Sequence, residues 1–345
     1  MVKCCMELIT LRNYIDMSLN DKTIFINLGA YNELYLDMMI KNCLDNASYP
    51  ERVMIGLFIH DQDGIKEDLS RYKDNLKVSY FDYPAPLGCC VGREMAHAFY
   101  NGEDYYMQLD AHMLFEKDWD VKVIDKFELL KQKYPKPIIS YYVPWWCMNH
   151  NGTIKNYSPD KTSSFNGPMN FDIQDSFRAK YPKPGGVGIN WADYPLGYIE
   201  HHQIAGHFIF SDPELFDDVR PDTTIMFAPE ESLLALRAWT RGYRIFAISS
   251  PIVWHLNKGL NNMIPWKRRP AVFKDDILGM HYFNKNHKAI QKARAIFTGK
   301  YIGYWGAPTK ELLDAYQKAA GLDYYEWYRQ LDEMYPNDPP ENRML

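Results

Sequence analysis

Apolar runs and stretches of helical spacing alternate along the first third of the chain, and few folds satisfy that alternation. Thr23–Leu28 (TIFINL) is β-branched and apolar and stops at Gly29, which predicts a buried strand, and Leu34–Leu44 follows with helical spacing. Arg52–Ile59 (RVMIGLFI) and Lys77–Phe81 predict two more strands. Pro84-Ala85-Pro86 then turns the chain into a helix near Cys89–Tyr100, and Tyr105–Leu109 is a fourth strand. Strands joined by helices imply an α/β, Rossmann-like fold with a mostly parallel central sheet and right-handed crossovers.

Sheets of this kind bind ligands beyond the carboxyl ends of their strands. Gly29–Glu33, His60–Gly64 and Asp110–His112 all fall at such ends, so three loops are expected to converge on one crevice.

Further on, Trp119–Lys131 predicts a helix and Pro137–Tyr142 a strand. The pattern breaks between about Asn149 and Glu200, where Pro182, Pro184, Gly185, Gly186 and Gly188 predict a loop-rich insertion, either a lid over the crevice or a spacer. It resumes with a strand at His207–Ser211, helices at Pro213–Asp217 and Pro229–Arg241, and a strand at Tyr243–Ser249. Pro229 suits a first helical position, Glu230 and Glu231 complement the positive helix end, and Gly242 can end the helix. The tail after Tyr335 (PNDPPENRML) is expected to be mobile, and no internal repeat is visible.

With 345 residues, 46% hydrophobic and 24% charged, the chain can bury a sizeable core as one large or two closely joined units. A net charge of -5 argues against nucleic acid or an anionic membrane as a general partner. No run approaches the roughly 18 apolar residues of a membrane span. The apolar patch Cys4–Ile9 is interrupted by Glu7 and does not read as a signal peptide. The six cysteines include two adjacent pairs and no C-x-x-C pair, which fits a reducing, intracellular setting better than a disulfide framework or a structural zinc site. Aromatics make up 15% of the residues, which suits carbohydrate stacking but fits a tyrosine-rich core and surface better.

The strongest chemical signal is YYMQLDAH, in which a buried strand delivers Asp110, Ala111 and His112 at its end. A carboxylate and an imidazole there can face one cation, while small Ala111 leaves room for a diphosphate. D-x-H alone is a weak motif. Its context is a second block from Ala205 to Gly259, AGHFIFSDPELFDDVRPDTTIMFAPEESLLALRAWTRGYRIFAISSPIVWHLNKG.

Together, residues of about 23–120 and 204–259 resemble the cytoplasmic N-acetylglucosaminyltransferases that modify hydroxyproline on a ubiquitin-ligase adaptor, and more distantly the polypeptide N-acetylgalactosaminyltransferases. The resemblance implies a GT-A fold and a retaining, metal-dependent glycosyltransferase. Its donor would be a UDP-sugar, UDP-GlcNAc first among them, and its acceptor a hydroxyl on a protein or a glycan. Asp110, His112 and His255 would be the metal ligands, with His255 at the end of the strand after the acidic helix. Imidazole ligands favour Mn²⁺ over Mg²⁺. The family's acidic pair is matched by Glu230 and Glu231 as catalytic residues, although Pro229 stands where a glycine is usual.

The same resemblance places Arg93 near the nucleotide, Gly206 and His207 facing the donor sugar, and Ala30, Tyr31 and Asn32 at the nucleoside, with Asn32 replacing a common arginine. His60 and Asp61 would flank the base. Lys258, Trp266, Lys267, Arg268 and Arg269 form either a basic loop closing over the diphosphate or a solvated charge run. Trp145 and Trp146 either stack on the acceptor or pack in the core. The expected organisation is an N-terminal lead (1–21) and a catalytic domain (22–260), followed by a C-terminal loop, helices and tail (261–345). Within the domain, 22–125 would bind nucleotide, 140–200 would be the insertion, and 204–260 would complete the metal site and receive the acceptor. Use of another UDP-sugar, metal-dependent hydrolysis, or a binding module without turnover would leave similar marks.

Overall fold

The structure, a computed structural model, describes residues 21–31, 33, 35–60, 68–82, 87–148, 154–156, 164–176, 179–227, 229–256 and 276–335. The chain opens with β1 (Ile24–Tyr31), α1 (Leu36–Asn46), β2 (Val53–His60), β3 (Leu76–Phe81), α2 (Cys89–His97) and β4 (Tyr105–Asp110). These match the predicted strands and helices to within a few residues. The β-branched run of β1 is buried on both faces, with Ile24, Phe25, Ile26 and Leu28 at most 1% exposed, as a central strand between two layers requires.

Next come β5 (Met113–Phe115), α3 (Trp119–Lys131), β6 (Pro137–Ile139), β7 (Trp145–Met148) and β8 (Ile154–Asn156). They are followed by β9 (Ser164–Ser176), β10 (Ala179–Gly188), β11 (Tyr198–His201), β12 (Phe208–Ser211) and α4 (Glu214–Asp218). The chain continues through α5 (Glu230–Thr240), β13 (Arg244–Ile248), β14 (Val253–Leu256), α6 (Asp276–Phe297), α7 (Lys310–Ala320) and α8 (Tyr324–Met334).

The main sheet has eight strands in the order β11-β13-β6-β12-β4-β1-β2-β3. β4, β1, β2 and β3 run parallel to one another, β6 and β13 share their direction, and β12 and β11 run against it. The mostly parallel α/β sheet is therefore present. Helix α2 approaches β2 so closely at Gly56 that a Cβ there would meet the Ala96 carbonyl oxygen at 2.5 Å. A second, four-stranded sheet, β5-β14-β7-β8, stands beside the end of β4.

Between 149 and 200 the expectation of a loop-rich insertion is corrected. β9 and β10 form a long antiparallel hairpin, with a register shift between Pro184 and Gly185. Pro182 and Pro184 sit opposite Ile173 and Phe171, two residues apart, so their missing N–H groups fall on the same edge of a two-stranded ribbon. Prolines tolerated on such an edge gave the sequence its loop-like character. A smaller correction concerns Pro229, which precedes the helix: α5 begins at Glu230.

A second apolar cluster joins α5 to the C-terminal helices, with Leu233 and Leu236 against Leu313, Tyr316, Tyr324 and Trp327. Among the described residues no helix is long and apolar enough to cross a membrane, and Cys43, Cys89, Cys90 and Cys147 are free thiols. The expected mobile tail lies outside the described residues.

Candidate functional site

β4 carries five buried residues and then ends at half-buried Asp110, which pairs with Gly29 of β1. Ala111 and His112, 3% and 7% exposed, turn the chain into β5. β5 pairs antiparallel with β14, and its register sets His255 opposite Met113, one residue past His112. The His112 carbonyl is held twice, accepting from Leu256 N at 3.2 Å and from Trp146 Nε1 at 3.1 Å. Trp146 is fully buried, so of the two roles open to it the structure selects core packing. His255 lies on β14 in the small sheet, whereas the strand directly after the acidic helix is β13 in the large one, which corrects its expected position.

This local folding brings three ligand atoms together. His112 Nε2 lies 3.0 Å from His255 Nε2 and 3.8 Å from Asp110 Oδ2, and His255 Nε2 lies 3.3 Å from the same oxygen. Adjacent ligands about 2.1 Å from an octahedral ion stand about 3 Å apart, so the three atoms fit one divalent ion with little movement. Glu33 Oε2, 2.8 Å from His112 Nδ1, accepts the proton there and leaves the Nε2 lone pair directed at the cluster. Burial would raise the Asp110 carboxyl, but its hydrogen bond with His255 and the charges of His112, His255 and Arg93 hold it well below the ordinary range. It is therefore ionised and ready to bind a cation.

His207 packs against His255, ring centroids 4.8 Å apart, and its Nε2 accepts from Val143 N at 3.4 Å. Burial, followed by the His255 charge, pushes its imidazole down to about 3, so it remains neutral.

Beside this triad stands a second polar group. Arg93, on α2 and 5% exposed, forms an ion pair with Glu230, lies 3.8 Å from Asp110 Oδ1, and donates from Nη2 to the Gly206 carbonyl at 2.9 Å. Gly206 N donates to Glu231 Oε1 at 2.8 Å, and Tyr142 Oη donates to Glu231 Oε2 at 2.5 Å. A Cβ on Gly206 would meet Arg93, Glu230 and Glu231 within 3.5 Å, so what approaches this glycine is the protein's own ionic cluster. Cys89 Sγ lies 3.3 Å from Glu230 Oε2. A hydrogen bond from Cys90 and, against the cost of burial, the Arg93 charge pull the Cys89 thiol down to about 7. The same hydrogen bond and burial push Cys90 up.

Along the sheet edge, register aligns Tyr31 with His60 and His60 with Phe81. The rings follow suit: Tyr31 and His60 lie 4.9 Å apart, and His60 and Phe81 5.6 Å apart. Tyr31 and Phe81 are 39% and 38% exposed, whereas His60 and Ala30 are buried. An aromatic row thus caps the carboxyl ends of β1, β2 and β3. Asn32, Asp61, Lys258 and Trp266 to Arg269 lie outside the described residues.

Sequence reasoning missed Glu33, Tyr142, Cys89 and Phe81 as members of this constellation. Glu33 was within reach as the one carboxylate of the strand-end stretch Gly29–Glu33. Tyr142 and Cys89 carried no signal, since their roles come from contacts 89 and 141 residues away in sequence.

A family model described as "Glycosyltransferase (GlcNAc)" matches residues 59–300. No curated protein sequence matches the chain. Among solved structures, the chain is similar to S. aureus TarS 1-349 in complex with UDP-GlcNAc, with 14% identity, 68% of this chain and 59% of that chain covered, and a TM-score of 0.40. It is also similar to GalNAc-T7 with UDP, GalNAc and Mn²⁺, with 13% identity, coverage of 92% and 58%, and a TM-score of 0.49. The chain thus spans less than two thirds of the length of either.

Proposed function

Because the chain belongs to the glycosyltransferase (GlcNAc) family, we propose that it moves a sugar from a UDP-sugar, UDP-GlcNAc first among them, to a hydroxyl acceptor with retention of configuration. The observation that carries the proposal is the triad of Asp110, His112 and His255, with ligand atoms 3.0 to 3.8 Å apart and His112 backed by Glu33. A divalent ion held there, Mn²⁺ in preference to Mg²⁺, would act as a Lewis acid on the diphosphate leaving group.

The remaining roles belong to the chain's own residues. Arg93 is fixed between Glu230 and Asp110, where its charge helps to keep Asp110 ionised and adds positive potential beside the diphosphate. Glu230, at the start of α5, faces the sugar hydroxyls, and Glu231 locks Gly206 and Tyr142 in place behind it. Tyr31 offers an exposed ring for stacking on uracil, with His60 supporting it from beneath and the Ala30 backbone beside it. His207 lines the donor pocket, Gly206 anchors Arg93 and Glu231 behind it, and Ala111 leaves space for the diphosphate. Asn32 and Lys258 complete the nucleotide contacts. On a retaining course the departing phosphate accepts the acceptor's proton, so no strong protein base is required. Residues 22–125 then bind nucleotide and 204–260 complete the metal site and receive the acceptor, a hydroxyl of a protein or a glycan. The cytoplasmic setting implied by the resemblance, with which the cysteine usage agrees, belongs to the same proposal.

The test is release of UDP from a panel of UDP-sugars, with and without Mn²⁺, in the absence of acceptor. Metal-dependent turnover of UDP-GlcNAc is expected. UDP binding without turnover of any donor, even when hydroxyl acceptors are added, would replace the transferase with a binding module.

A further inference from the structure

Two clusters among the described residues have the donor atoms to hold a metal ion, and the one not used above consists of Cys89, Cys90 and Glu230. We propose that these three side chains form a second cation site, selective for a thiophilic divalent ion such as Zn²⁺ or Cd²⁺. Their ligand atoms all lie within 4.8 Å of one another, and Cys89 Sγ is already 3.3 Å from Glu230 Oε2. Ligand atoms about 2.2 Å from a tetrahedral ion stand about 3.6 Å apart, so closure on zinc requires shifts of a few tenths of an ångström to about one. The ligands are well sheltered: Cys90 is 1% exposed and the Glu230 side chain 11%.

Charge favours occupancy. Two thiolates and one carboxylate around a divalent ion carry a net single negative charge, and the Arg93 guanidinium, paired with Glu230, faces it. Both cysteines lie in the first turn of α2, where the helix dipole favours thiolates. Binding forms two metal–sulfur bonds and one metal–oxygen bond and releases the two thiol protons to solvent. Donor chemistry separates the two clusters, since sulfur selects soft ions whereas the imidazole–carboxylate set accepts harder ones. The consequence for activity rests on the proposed function. An ion at the second site engages Glu230 and takes it from the donor sugar, so Zn²⁺ inhibits turnover.

The experiment uses the full chain carrying Cys4→Ser and Cys5→Ser, which removes the other adjacent cysteine pair, and titrates it with Cd²⁺ while the ultraviolet thiolate-to-metal charge-transfer band is followed. One Cd²⁺ per chain with a thiolate band is expected. The band should survive Asp110→Asn and disappear in Cys89→Ser and in Cys90→Ala, each checked for native circular dichroism. Absence of a band in the parent, or a band unchanged by either cysteine substitution, overturns the site. Inhibition by Zn²⁺, read in each chain relative to its own turnover without Zn²⁺, should be lost in Cys89→Ser, which keeps a hydrogen-bond donor toward Glu230. Equal inhibition of both chains would overturn the inhibitory role. Cd²⁺ binding is read without any sugar donor, so its outcome stands apart from that of the transferase assay.

Discussion

Glu33 and His112 are joined by a 2.8 Å hydrogen bond between two largely buried groups, with side-chain exposures of 12% and 8%. The carboxylate holds the His112 proton on Nδ1 and so suits Nε2 to the ligand role proposed for it. Partners in this position typically contribute about 10- to 100-fold to metal affinity. Glu33→Ala should therefore weaken Mn²⁺ binding by about that factor in a calorimetric or electron-paramagnetic titration, with Glu33→Gln in between. Unchanged affinity in Glu33→Ala would separate Glu33 from the metal site.

Asp110 supplies the only carboxylate of the triad. Asp110→Ala should abolish the Mn²⁺-dependent part of UDP binding while leaving the melting temperature within a few degrees, because this side chain is 35% exposed at a strand end. Retained metal-dependent affinity would remove Asp110 from the ligand set.

Arg93 and Glu230 form a buried ion pair, with side chains 6% and 11% exposed. Removing one member leaves the other charged and unpaired, a change that costs about 3 to 5 kcal/mol. Arg93→Met should show such a loss in urea unfolding, and adding Glu230→Leu should recover a substantial part of it. Additive losses in the double variant would show that the two charges are not coupled.

Most of the first half of the fold was legible because β1, β2 and β4 are buried on both faces. Runs such as Ile24–Leu28 and Val53–Ile59 have no polar face to confuse with anything else, and the D-x-H turn follows directly from the end of β4. The β9–β10 hairpin was hidden for the opposite reason, since Pro182, Pro184 and Gly185 are ordinary on a two-stranded edge but resemble loop residues in a sequence window. The short strands β5, β7 and β14 hold three or four residues each, too few for a periodic signal. His255 could be placed through resemblance, but its strand could not be read from its neighbours. The ionic cluster of Arg93, Glu230, Glu231 and Gly206 is tertiary, joining α2 to the chain around α5 across more than a hundred residues.

His201 gives a pH test remote from the triad. Its Nε2–H donates to the Ser140 carbonyl at 2.8 Å and its Nδ1 accepts from Gln203 N at 3.4 Å, so the neutral ring is fully satisfied. Burial pushes its pKa down to about 3, against an ordinary value near 6.5. Because the unfolded chain gains this proton first, the His201 contribution to stability is full above about pH 6.5. It is lost as pH falls toward 3, at about 1.4 kcal/mol per pH unit. His201→Gln should flatten the fall in unfolding free energy between pH 6 and 4 by about that slope. An unchanged slope would place the titration elsewhere.

Asp110 and His112 flank the turn that leaves the large sheet, while His255 belongs to the small one. An ion seated among them is therefore a rivet between two plates that share no strand. Removing it with a chelator should loosen amide-exchange protection in β5, β7 and β14 before it reaches β1 or β2. On the proposed function, the alignment of the two plates then becomes a quantity that the donor nucleotide would sense through that ion.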